Sequence, residues 1–465
     1  MSDQTVPRPS RSQVRAVLAS CIMGTTVEWY DFFLYGVAAG IIFNKQFFPA
    51  DDPAVSTLLA FATFALGFVA RPVGGLIFGH IGDRVGRKRT LVMTMLIMGG
   101  ATFLIGCLPT YSQIGLFAPV LLIVLRLLQG IAIGGEWGGA VLMSVEYAPK
   151  GRKALFGSTP QAGLALGLLL GTGVFAAAGA VMSDSAFNAW GWRITFWLSL
   201  ALVVVGMIVR LRVMETPAFR DMEQGDGAAV IPAKELLADA ENRRNLLLGM
   251  GARWIEGVAF NAWAVFSISY ATGTLDMARQ PALLGVMAAA GLLLVLIPVS
   301  GALADRFGCR RVYATGAVLA AVAPLLVFPL MHTRDPWLAG LGIVLALGVL
   351  YPLMYGPEGA FFAELFPVRV RYSGISVVYQ MSGIFASGLT PLVLTWLLDR
   401  AGGGTGLLIG YFLLTGVVSA ICTLLIRTPG ERSSKRSVRS GQGSSRISSA
   451  STRTPGSIAR NGIAT

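Results

Sequence analysis

Long apolar runs broken by short polar clusters recur along nearly the whole chain. A helix needs about 20 mostly apolar residues to cross the hydrocarbon core of a bilayer. The runs at 17–42, 55–79, 90–108, 114–142, 155–181 and 192–212 have the length for this, as do those at 246–271, 282–303, 312–332, 337–359, 372–398 and 405–426. The pattern predicts an all-α polytopic membrane protein with twelve transmembrane helices. The longest internal polar stretch, with an amphipathic piece around Ala233–Arg244, divides them six and six. The expected organisation is a cytoplasmic N-terminal segment (1–16), a six-helix bundle (17–212), a cytoplasmic central loop (213–245), a second bundle (246–426) and a tail (427–465).

Composition agrees with the pattern: 54% of the 465 residues are hydrophobic and only 13% charged, where a soluble domain carries about 25% charged residues. The formal net charge of +13 is not a nucleic-acid signal, because its cations gather at particular places. From Arg427 onward, eight basic residues stand against the single acid Glu431, in a stretch rich in Ser, Gly, Arg and Pro. Such a tail is expected to be disordered and to meet anionic lipid headgroups. Elsewhere the cations fall in alternate loops: Arg84, Arg87, Lys88 and Arg89; Lys150, Arg152 and Lys153; Arg306, Arg310 and Arg311; Arg369 and Arg371. The positive-inside rule places these loops in the cytoplasm, together with both chain ends. Arg8, Arg11 and Arg15 lead into an apolar run with no small-residue cleavage site, which reads as a first membrane helix and not a cleaved signal.

The two halves repeat each other. Gly79-His-Ile-Gly-Asp83-Arg84-Val-Gly86-Arg87 after the second span returns as Gly301-Ala-Leu-Ala-Asp305-Arg306-Phe-Gly308 after the eighth. The interval from Asp83 to Asp305 equals that from Glu136 to Glu358, and Gln161 and Gln380 are separated by nearly the same interval. Two similar six-helix halves suit a carrier that rocks around a central site. In the repeated loops glycine permits close helix approach, and Asp83 and Asp305 are placed to hold one side closed through helix-end and Arg contacts. Gly79, Asp83, Arg84, Gly86, Arg87, Asp305 and Arg306 are therefore the candidate cytoplasmic gate.

The same residues carry a family resemblance. Gly79 to Arg89 resembles the signature of the major facilitator superfamily, as does Arg126-Leu-Leu-Gln129-Gly130 in the fourth span. Glu28-Trp29-Tyr30-Asp31-Phe32-Phe33, Gly134-Gly135-Glu136-Trp137-Gly138-Gly139 and the run Tyr355–Ile375 resemble its metabolite:proton symporter family. Phe43–Pro49 and Phe61–Leu76 are similar to the shikimate-type branch. The resemblance covers 15–427 and implies a monomeric inner-membrane carrier of a bacterium. Its substrate would be a shikimate-like or other small carboxylate, with a dicarboxylate such as 2-oxoglutarate or a proline- or betaine-like zwitterion as alternatives. Two departures are Glu28, where a shikimate transporter has Asp, and Cys309, where the repeated motif has a basic residue.

Ionisable groups within a membrane are costly and need a reason. Glu28 and Asp31 are three residues apart and share a helix face. Two carboxylates in one low-dielectric cleft resist simultaneous ionisation, which is what a proton-coupling site requires. The resemblance adds Arg126 as a partner for one of them or for a substrate carboxylate, and places Glu136 nearer the cytoplasm, close to Asp83. Arg253 and Glu256 are likewise three apart in the seventh span, and a guanidinium matches a carboxylate bidentately. Tyr30, Tyr35, Arg126, Glu136, Trp137, Gln161, Arg253, Glu256, Tyr355, Glu358 and Gln380 are the candidate substrate-binding residues, with Tyr351 and Trp254 as further hydrogen-bonding or apolar walls.

Other classes fit less well. No GxxxxGK[ST] phosphate loop supports an ATP-driven pump. A membrane-embedded enzyme needs a compact catalytic set, and the only histidines, His80 and His332, fall near helix ends without other metal ligands around them. No cofactor or metal site is therefore expected. A sensor that binds solute without moving it stays open, although no soluble output domain accompanies the helices.

Overall fold

The computed structural model describes residues 11–85, 87–134, 141–142, 144–145, 148–149, 151–214, 233–367 and 370–426. Apolar residues that meet no water must satisfy their backbone groups within the segment, which selects helices. Twelve long helical runs are found among these residues. α1 (Arg11–Ala38) continues through a π turn at Ala39–Phe43. α2 (Pro53–Val85), α3 (Arg87–Cys107), α4 (Phe117–Ile133) and α5 (Lys153–Val181) follow. α6 (Trp192–Met214) is entered through a π turn at Phe187–Gly191. α7 joins Ala240–Ala252, Trp254–Asn261, a π turn at Ala262–Phe266 and Ser267–Gly273. α8 (Arg279–Phe307), α9 (Cys309–His332), α10 (Pro336–Ala363), α11 (Arg371–Arg400) and α12 (Gly406–Leu425) complete the set. The amphipathic piece anticipated in the central loop contributes a short helix, Ala233–Ala238.

The helices extend past the apolar runs where charge begins. α8 continues to Phe307, through Asp305 and Arg306, and α2 to Val85. Eight of the runs are long and apolar enough to cross a membrane, and the apolar parts of α3 and α4 are shorter. Leu76, Leu116, Phe117, Val181 and Trp337 all stand exposed on the outside. Such an outer face is soluble only against lipid.

α1 packs on α5 and α6, α2 on α4, and α3 on α4 and α6; in the second set α9 packs on α12 and α10, and α7 on α11 and α12. The two sets meet where α8 and α10 lie on α5 and where α2 lies on α11.

α2 and α4 approach at backbone distance. A Cβ on Gly74 would stand 1.8 Å from the Ile131 carbonyl oxygen, and one on Gly134 2.0 Å from that of Arg71. Small residues allow this approach in membranes, and here it sets the height of the charged side chains on both helices. Gly74→Ala is expected to cost at least about 1–3 kcal/mol, the range for overpacking, because backbone cannot step aside as a side chain can. The yield and melting temperature of purified protein measure it, and an unchanged melting temperature would contradict so tight a contact.

Candidate functional site

Glu28 and Asp31 occupy different surroundings. Glu28 lines a small cavity between the two helix sets, together with Trp29, Arg71, Ile133, Tyr379 and Gln380. Asp31, 1% exposed, does not line that cavity and is faced by the hydroxyls of Thr102 on α3 and Ser199 on α6. Neither Asp31 carboxylate oxygen makes a hydrogen bond among the described residues.

The cation that shares the cavity with Glu28 is Arg71, which was not among the expected site residues. It projects from the middle of α2 and is 3% exposed. Its guanidinium lies over the rings of Phe68 (4.4 Å), Phe32 (4.6 Å) and Trp29 (5.5 Å), and its Nε is buried without a hydrogen-bond partner among the described residues. The neighbouring Pro72 lacks a backbone N–H and so interrupts the ladder of α2 beside it.

Arg126 lies elsewhere. It stacks on Tyr35 at 4.1 Å, donates to Gln129 Oε1 (3.2 Å) and to the Phe64 carbonyl (3.3 Å), and among the described residues makes no hydrogen bond to Asp31. Gln129 donates in turn to Thr102, the hydroxyl beside Asp31, at 2.7 Å. The chain from Arg126 thus ends at Thr102, whose hydroxyl donates to the Met98 carbonyl, next to Asp31 but not hydrogen-bonded to it.

The second helix set holds a tighter cluster. Arg253 Nε donates to Glu358 Oε1 at 2.8 Å, and its terminal nitrogen lies 3.2 Å from Glu256 Oε2. Tyr351 donates to Glu256 Oε1, and the Arg253 guanidinium stacks on Tyr379 at 3.9 Å. Arg253-Trp254-Ile255-Glu256 in the first helix of the second half resembles Glu28-Trp29-Tyr30-Asp31 in the first helix of the chain, with ionisable groups three apart around a Trp. The one run carries a cation with an acid and the other two acids.

Gln161 and Gln380 form a reciprocal pair. Gln380 donates to the Gly134 carbonyl (2.8 Å) and Gln161 to that of Gly356 (3.5 Å), each reaching the other helix set. Gly134 and Gly356 are themselves equivalent positions, separated by the same interval as Asp83 and Asp305. Tyr30 is directed to α6, donating to the Thr195 carbonyl at 2.7 Å, and Tyr35 to Thr63 at 2.7 Å. Tyr355 stacks on Tyr351, and its buried hydroxyl makes no hydrogen bond among the described residues.

Asp305 sits across the join between the sets. Its two carboxylate oxygens accept from the backbone N–H of Ala154 (2.8 Å) and Leu155 (2.9 Å), in the first turn of α5. Arg306 is exposed, lying 5.3 Å over Phe307. Gly86, Glu136 and Trp137, the surroundings of Gly79, and the side chains of Asp83, Arg84 and Arg87 lie outside the described residues. Among the described residues no group of three His, Cys, Asp or Glu could hold a metal ion.

Known proteins agree with this architecture. A family described as "Sugar (and other) transporter" matches residues 17–229, and one described as "Major Facilitator Superfamily" matches 255–461. A shikimate transporter of Escherichia coli (strain K12) is 39% identical over 421 residues, covering 90% of this chain and 95% of that one. A proline/betaine transporter of the same organism is 33% identical over 398 residues, covering 84% and 79%. A crystal structure of a D-xylose-proton symporter superposes with a TM-score of 0.67 at 16% identity, covering 89% of this chain and 98% of the other, and shows the shared fold. The chain belongs to the major facilitator superfamily: it is a multi-pass membrane transporter and not an enzyme.

Proposed function

We propose that the chain is a proton-coupled symporter of a small organic acid, working by alternating access with both termini in the cytoplasm of a bacterial inner membrane. The observation that carries this reading is Arg71. A guanidinium held among three aromatic rings, with a buried N–H left without a partner and a cavity at its side, is built to receive a carboxylate. Gln380 and Tyr379 supply the polar and aromatic walls that a hydroxylated ring acid would use. The family resemblance and the shikimate transporter relative support the same class.

Asp31 is our proton carrier on α1. An ionised carboxylate buried with no hydrogen bond costs far more than a neutral one, and the Thr102 hydroxyl near it accepts from Gln129, which in turn accepts from Arg126. A second substrate class is favoured by Glu28 and Trp29 at the same cavity. A zwitterion would place its carboxylate on Arg71 and its cation against these two, in keeping with the proline/betaine transporter relative.

Uptake of labelled shikimate into proteoliposomes under a proton gradient, competed with carboxylates and betaines, tests both readings. The expected result is gradient-dependent accumulation suppressed by one competitor class, and its loss in Asp31→Asn. Accumulation retained by both Asp31→Asn and Glu28→Gln would remove the α1 proton site. Silence across the whole panel would remove the substrate class.

A further inference from the structure

We infer that Glu256 and Glu358 form a second proton-binding site, in the second helix set and separate from the carboxylates of α1; this rests on the symport reading above. Charge count is the first argument. One guanidinium, Arg253, faces two carboxylates, and all three side chains are at most 4% exposed. The other ionisable groups turned toward them are tyrosines: Tyr313 from α9, Tyr351 and Tyr355 from α10, Tyr379 from α11. Arg71 faces Tyr379, Arg253 and the acid Glu28, so it and Glu28 add one charge of each sign, and among the described residues it pairs with neither Glu256 nor Glu358. Both acids ionised would therefore leave a net negative charge on the cluster, buried in a medium that stabilises charge poorly. Two carboxylates in that position share a proton.

The position of the guanidinium points to where it resides. Glu256 accepts from the Tyr351 hydroxyl at Oε1, and its Oε2, without a hydrogen bond among the described residues, lies 3.2 Å from the Arg253 guanidinium. Glu358 gives Oε1 to Arg253, while its Oε2 is buried with no partner among the described residues. That oxygen is the protonation site. The proton binds there from one side of the membrane and leaves to the other, with no bond made or broken but O–H.

The site is wired to the transport machinery at two points. Arg253 holds Tyr379 by its ring at 3.9 Å and by its carbonyl at 3.5 Å, and Tyr379 is a wall of the Arg71 cavity. Glu358 stands two residues after Gly356, whose carbonyl receives Gln161 from the other helix set. Gain or loss of the proton changes the pull of Glu358 on Arg253, and so acts on a cavity wall and on a contact across the join.

Infrared difference spectroscopy of the full chain in lipid reads the proton directly. The expected result is a protonated-carboxyl stretching component at neutral pH that disappears in Glu358→Gln and in Glu256→Gln, because either variant leaves one acid matched to Arg253. In the proteoliposome assay Glu358→Gln should reach a lower accumulation ratio than the wild type, because Asp31 alone still couples, and Glu358→Asp should partly restore it. A component unchanged in both glutamine variants places the proton elsewhere and overturns the inference, whether or not the variants transport. If the wild type moves no protons, the symport reading fails at that step, and a second coupling site falls with it.

Discussion

Arg71→Gln is expected to weaken binding of an organic acid about 100-fold, with little loss of folded protein. A charge-assisted hydrogen bond to a carboxylate contributes about 1.5–3 kcal/mol, and about 2.7 kcal/mol corresponds to that factor. The wild-type geometry avoids much of the cost that usually offsets such a gain. The Arg71 guanidinium is already out of water and lies over the rings of Phe68, Phe32 and Trp29, so little ordering remains when substrate arrives. Arg71→Lys separates charge from shape. An ammonium keeps the charge but offers no planar fork and stacks less well, so a loss of about tenfold is expected. Isothermal titration on purified protein measures both. If Arg71→Lys binds like the wild type, only the charge counts; if Arg71→Gln does, the carboxylate lies elsewhere in the molecule.

Why Arg71 escaped the sequence reading while the twelve helices did not is a matter of where an apolar run ends. A second span over 55–79 holds Arg71 two turns from one end, about 12 Å, a depth from which a long cation can still reach toward the headgroups. The helix in fact extends from Pro53 to Val85, and that extension puts Arg71 at its middle, among aromatic rings. Composition cannot show the difference, because the added turns are polar. Spacing along one helix was informative about which charges are buried, and Glu28, Asp31, Arg253 and Glu256 are all buried. It was not informative about partners. Arg126 meets Tyr35, one turn beyond Asp31, in the space that Gly67 of α2 leaves: a Cβ there would stand 2.5 Å from the Arg126 Nε. The repeat of the two halves carried more than it first suggested. Gly134 and Gly356, noted only as parts of family motifs, are the acceptors of the two glutamines that reach across the join.

Asp305→Ala is expected to open the end of the molecule where α8 meets the first turn of α5. The first N–H groups of a helix have no partner within it, and a carboxylate that accepts two of them also meets the positive end of the helix dipole. Removing such a cap costs about 2 kcal/mol, which is about a 30-fold shift in the ratio of closed to open forms. Asp305→Asn keeps one acceptor oxygen and loses the charge, so it should fall between. The opposite end of α8 offers the comparison. There Arg279 pairs with Asp184 at 2.7 Å, but the Asp184 side chain is 88% exposed. An exposed pair contributes about 0–1 kcal/mol, so Arg279→Ala should shift the balance far less. Nearly the whole of α8 separates the two contacts, about 39 Å at the helical rise, far enough for one end to open while the other stays shut. Spin labels on α5 and α8 near each end, read as distance distributions in lipid, resolve the two. A distribution at the Asp305 end that is unchanged in Asp305→Ala would mean that packing of α8 and α10 on α5 closes this end without the cap, and the repeated Asp would then lose its role as a gate.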